Sequence, residues 1–133
     1  MRAAKLFRLA ADQGKAPAQA LLGVAYDEGQ GVVKDSRQAV VWYRLAADRG
    51  DLDGQTLLGL AYYSGKGVPQ DLVQAYRWFD VAVAGGNTKA ARFLAAAEAK
   101  MTPDQIARAD RLAHAWKALK EEATPLVPIG ETK

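Results

Sequence analysis

Residues 15–50, KAPAQALLGVAYDEGQGVVKDSRQAVVWYRLAADRG, run straight into residues 51–86, DLDGQTLLGLAYYSGKGVPQDLVQAYRWFDVAVAGG. Set one above the other without a gap, they agree at Gln19/Gln55, Leu21/Leu57, Leu22/Leu58, Gly23/Gly59, Ala25/Ala61, Tyr26/Tyr62, Gly29/Gly65, Gly31/Gly67, Val32/Val68, Asp35/Asp71, Gln38/Gln74, Ala39/Ala75, Trp42/Trp78, Ala46/Ala82 and Gly50/Gly86, which is 15 of 36 positions. Tyr43/Phe79 and Leu45/Val81 add conservative pairs. Half copies flank the two full ones: Ala3 to Ala11 aligns with Ala39 to Ala47, and Ala90 to Leu94 with Gly54 to Leu58. A period of this length means that each copy is one supersecondary unit stacked on its neighbours.

Within a copy, apolar residues recur at three and four positions, which is helical spacing. Leu22, Ala25 and Tyr26 share a face of the first helix, and Ala39, Trp42, Tyr43 and Ala46 a face of the second. One helical hairpin cannot cover both stripes alone, so neighbouring copies must do so. Gly14, Gly50 and Gly86 end second helices, where a left-handed residue is wanted. Gly23 and Gly59 fall inside first helices, where glycine costs roughly 1 kcal/mol against alanine; close approach of the partner helix is the expected return. Asp35 and Asp71 are expected to cap the second helices.

The last copy departs from the pattern. Ala95 takes the Gly23/Gly59 place, and Lys100-Met101-Thr102-Pro103 replaces the glycine loop. Thr102 as N-cap, Pro103 at the first helical position and Gln105 as capping-box partner start a new helix. Ile106, Ala109, Leu112, Ala113 and Trp116 would be its buried stripe, with Arg108, Arg111 and Lys117 on the wet side. The expected division is one solenoid over 1–122, comprising a partial repeat 1–14, repeats 15–50 and 51–86 and a divergent capping repeat 87–122, then a flexible tail over 123–133.

The unit Ala18-Gln19, Leu22-Gly23, Tyr26, Gly29-x-Gly31-Val32, Asp35, Ala39, Trp42, Ala46-Ala47 and Gly50 closely resembles the Sel-one-like repeat, a relative of the tetratricopeptide repeat, whose units are shorter at about 34 residues. The second copy differs mildly, with Gly54 for the first alanine and Val83 for the last. The resemblance implies an all-α fold, a right-handed α/α superhelix of antiparallel helix pairs. It implies an adaptor or scaffold of the kind common in bacterial proteins that assemble signalling, envelope or host-contact complexes, with no shared catalytic residues. A cysteine-rich branch staples each repeat with a disulfide; this chain has no cysteine and falls outside that branch.

Composition narrows the function classes. The 18 basic and 15 acidic residues leave a formal charge of +3 with no block of one sign, so nothing marks a nucleic-acid or membrane patch. Without cysteine there is no thiolate chemistry, and no cofactor is implied. No apolar run reaches the ~18 residues of a membrane span, and Met1-Arg2-Ala3-Ala4-Lys5 lacks a signal-peptide core; the compartment, cytoplasmic or periplasmic, stays open. His114, the single histidine, has no second ligand for a metal, and the Gly-x-Gly pairs recur as turns and lack the Gly-Lys-Ser/Thr ending of a phosphate loop. Neither a catalytic nor a metal site is expected.

The expected function is protein or peptide binding on the concave face lined by first helices. Positions there that vary between copies are Ala20/Thr56/Arg92, Val24/Leu60/Ala96, Asp27/Tyr63/Ala99 and Pro17/Asp53/Lys89. Aromatic and arginine side chains are the usual interface anchors, which puts Tyr63 and Arg92 first, with Thr56, Leu60, Lys89 and Asp27 around them. A second reading uses the start of the chain, which opens in a second helix: Leu6, Phe7 and Leu9 would lie partly uncovered and could join two copies, or an upstream portion could cover them. An enzyme of cell-wall or small-molecule substrates ranks last, for want of convergent acids.

Overall fold

The computed structural model describes residues 2–123; apart from Ala123, the tail expected at 123–133 lies outside the described residues. Among these there are seven helices and no strand: α1 Arg2–Asp12, α2 Ala16–Glu28, α3 Ser36–Asp48, α4 Leu52–Ser64, α5 Leu72–Ala84, α6 Ala90–Glu98 and α7 Pro103–Ala123. The pairs α2/α3 and α4/α5 are the two full copies. Each second helix also packs on the next first helix, α1 on α2, α3 on α4 and α5 on α6, which makes the chain an all-α helical-repeat solenoid.

The sequence features that define the unit each have a physical role. Asp35 and Asp71 are extended residues whose carboxylates accept from Arg37 and Gln38 amides and from the Gln74 amide, which starts α3 and α5. A Cβ on Gly23 would lie 2.5 Å from the Tyr43 ring, and one on Gly59 2.5 Å from the Phe79 ring, so both glycines let the two helices of a copy close on an aromatic face. Gln19 and Gln55 are buried and donate through Nε2 to the carbonyls of Ala11 and Ala47 at 3.2 and 3.3 Å. Each glutamine thereby adds a second donor to a last-turn carbonyl of the preceding second helix, which also accepts from the Gly14 or Gly50 amide. The third copy has Ala91 at this place and makes no such tie.

The last unit differs in how it sits. Its capping box forms as expected: the Gln105 amide donates to Thr102 Oγ1 at 3.2 Å, and the Thr102 amide donates to Gln105 Oε1 at 2.9 Å. The long α7 then packs chiefly on α5. Ile106, Ala109 and Leu112 join a core with Val73, Tyr76 and Phe79, whereas Ala113 and Trp116 join one with Trp78 and Val81. Trp116 meets Trp78 edge-on, with centroids 5.6 Å apart and planes at 71°. Arg108 and Arg111 are exposed, but Lys117, expected on the wet side, is half-buried beside Asp80 because α7 lies across α5.

That contact has a pH signature. Burial raises the Asp80 carboxyl above its ordinary range; Lys117 pulls it down and Asp110 pushes it further up, with Tyr76 as the remaining titratable neighbour. A raised folded-state value means that folding disfavours the carboxylate, so the cost exists at neutral pH and disappears as the pH falls below the ordinary carboxylate range. Asp80→Asn should therefore melt slightly above the wild type near neutrality and lose the advantage toward about pH 4. Thermal melts across that range check it; a variant that melts lower at neutral pH would show that the attraction to Lys117 outweighs burial.

Candidate functional site

The first helices touch one another in turn, α2 with α4 and α4 with α6. The face lined by α2, α4 and α6 is the one on which the sequence places partner binding. There they form an open groove of about 390 Å³. Its lining is largely apolar, from Leu21, Val24, Leu57 and Phe93, and Asp53 on the central α4 and Lys89 at the entry to α6 add opposite charges.

Two repeat columns build this groove. Pro17, Asp53 and Lys89 succeed one another at intervals of 36, and so do Leu21, Leu57 and Phe93, one helical turn further on. Because the same register recurs on three parallel helices, the side chains form two rungs running across the repeats. The polar groups between the helices are partly committed: Thr56, itself buried, donates to the Leu52 carbonyl at 2.9 Å and accepts from Asn87 Nδ2 at 2.9 Å. Asn87 Oδ1 in turn accepts from the Lys89 amide at 3.1 Å, which orders the turn that enters α6.

The six residues expected at the site do not all meet. Thr56 and Lys89 line the groove. Asp27 and Leu60 instead line a smaller cleft of about 190 Å³ between α2, α3 and α4. Asp27 is engaged there: Lys66 Nζ lies 3.1 Å from its carboxylate, Ser36 donates to it at 3.4 Å and Tyr43 at 3.5 Å. Burial, then the Asp27 charge and this hydrogen bond, hold the Tyr43 hydroxyl well above its ordinary range, so Tyr43 acts only as a neutral donor. Tyr63 packs against the core shared by α5 and α7, with Lys100 Nζ 4.9 Å above its ring, and Arg92 stands exposed on α6. At the other end of the chain, Leu6 and Leu9 are exposed and Phe7 is half-buried.

Leu21, Leu57 and Phe93 were not expected at the site, because a search for positions that vary between copies passes over a leucine repeated in both. The available signal was their spacing of four from the Pro17/Asp53/Lys89 column, which puts them on the same helix face. A run of arginines on the other side of the solenoid was also not anticipated. Arg8 lies 5.5 Å over Trp42 and donates to Tyr26 at 3.2 Å, and one repeat later Arg44 lies over Tyr62 and donates to its hydroxyl. His114 is exposed, and no group of three or more metal-ligating side chains converges among the described residues. None of the described helices is long and apolar enough to cross a membrane.

The model of the Sel1 repeat matches residues 1–15, 16–51 and 52–87. The chain belongs to the Sel1 repeat family. Three solved Sel1-type structures are similar to it. The first is c5321, a protective antigen of uropathogenic Escherichia coli strains with an SLR fold, at 34% identity and a TM-score of 0.84 over 95% of this chain and 29% of that one. A Sel1 repeat protein from Oxalobacter formigenes matches at 31% identity and a TM-score of 0.65, over 68% of this chain and 37% of its own. Helicobacter pylori cysteine rich protein B matches at 32% identity and 0.65, over 68% of each chain. The chain thus spans under a third of the length of c5321. No curated protein matches it. Sel1 repeat proteins are generally protein-interaction scaffolds, and the family is mainly non-enzymatic.

Proposed function

We propose that this Sel1 repeat chain is a non-enzymatic scaffold that holds an extended segment of another protein in the groove between α2, α4 and α6. The observation that carries the reading is the pair of rungs. Leu21, Leu57 and Phe93 offer an apolar track across three successive first helices, and Asp53 and Lys89 set opposite charges one helical turn away along it. Apolar floor with a few placed polar groups is the usual make-up of a binding site. A segment fits it that buries one or two apolar side chains and carries a base toward Asp53 and an acid toward Lys89.

Affinity capture from the source lysate tests this with three baits of equal helicity and melting: wild type, Leu21→Asp with Lys89→Glu, and Tyr63→Ala with Arg92→Ala. The first pair should reduce the captured partner by about tenfold or more, and the second should leave it in place. Equal capture by the first pair sinks the groove, and loss with only the second moves the site to the Tyr63 end. Self-association through Leu6 and Leu9 is the second reading, favoured by their exposure on α1; sedimentation of the wild-type bait at rising concentration would show it as increasing mass, and constant mass would remove it.

A further inference from the structure

The face of α5 that α7 covers has a counterpart one repeat earlier. On α5 it comprises Val73, Tyr76, Asp80, Val81 and Ala84. Val73 and Tyr76 share a core with Ala109, Tyr76 faces Asp110, Asp80 faces Lys117, and Val81 and Ala84 lie with Trp116 and Lys117. Moved back by 36 residues these become Arg37, Val40, Arg44, Leu45 and Asp48 on α3. Those five line an open trough of about 420 Å³, walled on one side by Gly67 and Val68. The trough is therefore the α7 seat transposed by one repeat, without its helix. Val81 is 4% exposed under α7, whereas Leu45 in the same column is 42% exposed and neighbouring Val41 52%.

The two seats differ in charge. Where α5 presents Asp80 to Lys117, α3 presents Arg44, and Val73 is replaced by Arg37. Arg77 stands close enough to Arg44 that its guanidinium is held below the ordinary arginine value, by burial first and by the Arg44 charge second. Asp48 is the one acid lining the trough. Arg44 spends donors on Tyr62 and keeps others, since a guanidinium has five. A helix with a cation at the Lys117 register would set like charges together, which argues against α7 of a second copy. An acid at that register would pair with Arg44.

We infer that the α3 trough is a second docking site, for an amphipathic partner helix that lies as α7 lies on α5 but carries an acidic residue where α7 has Lys117. The internal α5–α7 contact supplies the geometry, and the change from Asp80 to Arg44 supplies the charge preference.

The test uses the full chain and two labelled peptides of residues 103–122, one unchanged and one with Lys117→Glu, followed by fluorescence anisotropy. The unchanged peptide is barred from the α5 seat by the tethered α7 already there, and the Lys117→Glu peptide is barred further by Asp80. The Lys117→Glu peptide should bind about tenfold or more tightly than the unchanged one. Val41→Asp should abolish that binding, Arg44→Glu should reverse the preference, and Leu21→Asp in the groove between α2, α4 and α6 should change nothing. The inference is overturned if neither peptide binds, if both bind alike, or if binding survives Val41→Asp. A concentration-dependent mass of the chain alone that Val41→Asp abolishes would assign the trough to a second copy and overturn it too.

Discussion

Trp78→Ala is expected to destabilise the protein by about 3–5 kcal/mol and to release α7, whereas Trp42→Ala, at the same place one repeat earlier, should cost roughly 1–2 kcal/mol. Leu6, Trp42 and Trp78 occupy one repeat column, yet their surroundings grade along the chain: Leu6 is exposed, Trp42 half-buried and Trp78 at 0% exposure. Trp42 is covered on one side by Arg8, whose guanidinium lies 5.5 Å above the ring. Trp78 has Arg77 at 4.4 Å and the edge of Trp116 besides, so its removal opens a cavity that α7 cannot collapse into while its capping box holds its first turn. Thermal melting gives the two costs, and amide exchange along 103–122 shows whether α7 loosens selectively. Equal costs at the two tryptophans, or uniform exchange, would mean that α7 contributes little to the burial of Trp78.

The contrast between these tryptophans also marks where the sequence stops being informative. Period, helix pairing, the Asp35 and Asp71 caps, the Thr102 capping box and the close approach at Gly23 and Gly59 were all legible, because each is set by residues near in sequence or by the repeat itself. The seat of α7 was not. Its stripe of Ile106, Ala109, Ala113 and Trp116 could be recognised as buried, but the register alone does not say which helix buries it, and the half-burial of Lys117 follows only from the answer being α5.

The groove was legible in part for a different reason. Variation between copies picks out residues free to differ, and it found Lys89 and Thr56, yet Thr56 differs from Ala20 because it hydrogen-bonds Asn87 of the next unit. Leu21 and Leu57 were passed over because they are identical in the two copies and the search was for positions that differ. In a solenoid the same position can pack in one copy and face the groove in another, so repetition alone does not separate the two. Tyr63 illustrates the reverse: its position varies because only here does the closing helix supply a core for it to lean on.

Gly67→Ala should be the most damaging of the small substitutions, costing about 3 kcal/mol and lowering the melting temperature by roughly 10 °C. Two penalties coincide. Gly67 has φ of +82°, where an L side chain costs about 1–2 kcal/mol. A Cβ there would also sit 2.3 Å from the Ser36 carbonyl oxygen and 2.7 Å from its carbon. Those are backbone atoms in the first turn of α3, which the Asp35 carboxylate anchors through the Arg37 and Gln38 amides, so they cannot swing aside as a side-chain tip would. Gly50 supplies the control, with φ of +92° and no atom within 4 Å of its Cβ position. Gly50→Ala should show the conformational cost alone, and the gap between the two variants in thermal melts measures the contact between loop and helix. Equal melting would mean that the loop can lift away from α3. In that event Gly67 and Val68 would no longer be a fixed wall of the α3 trough, and the docking geometry drawn from α7 on α5 would lose one of its supports.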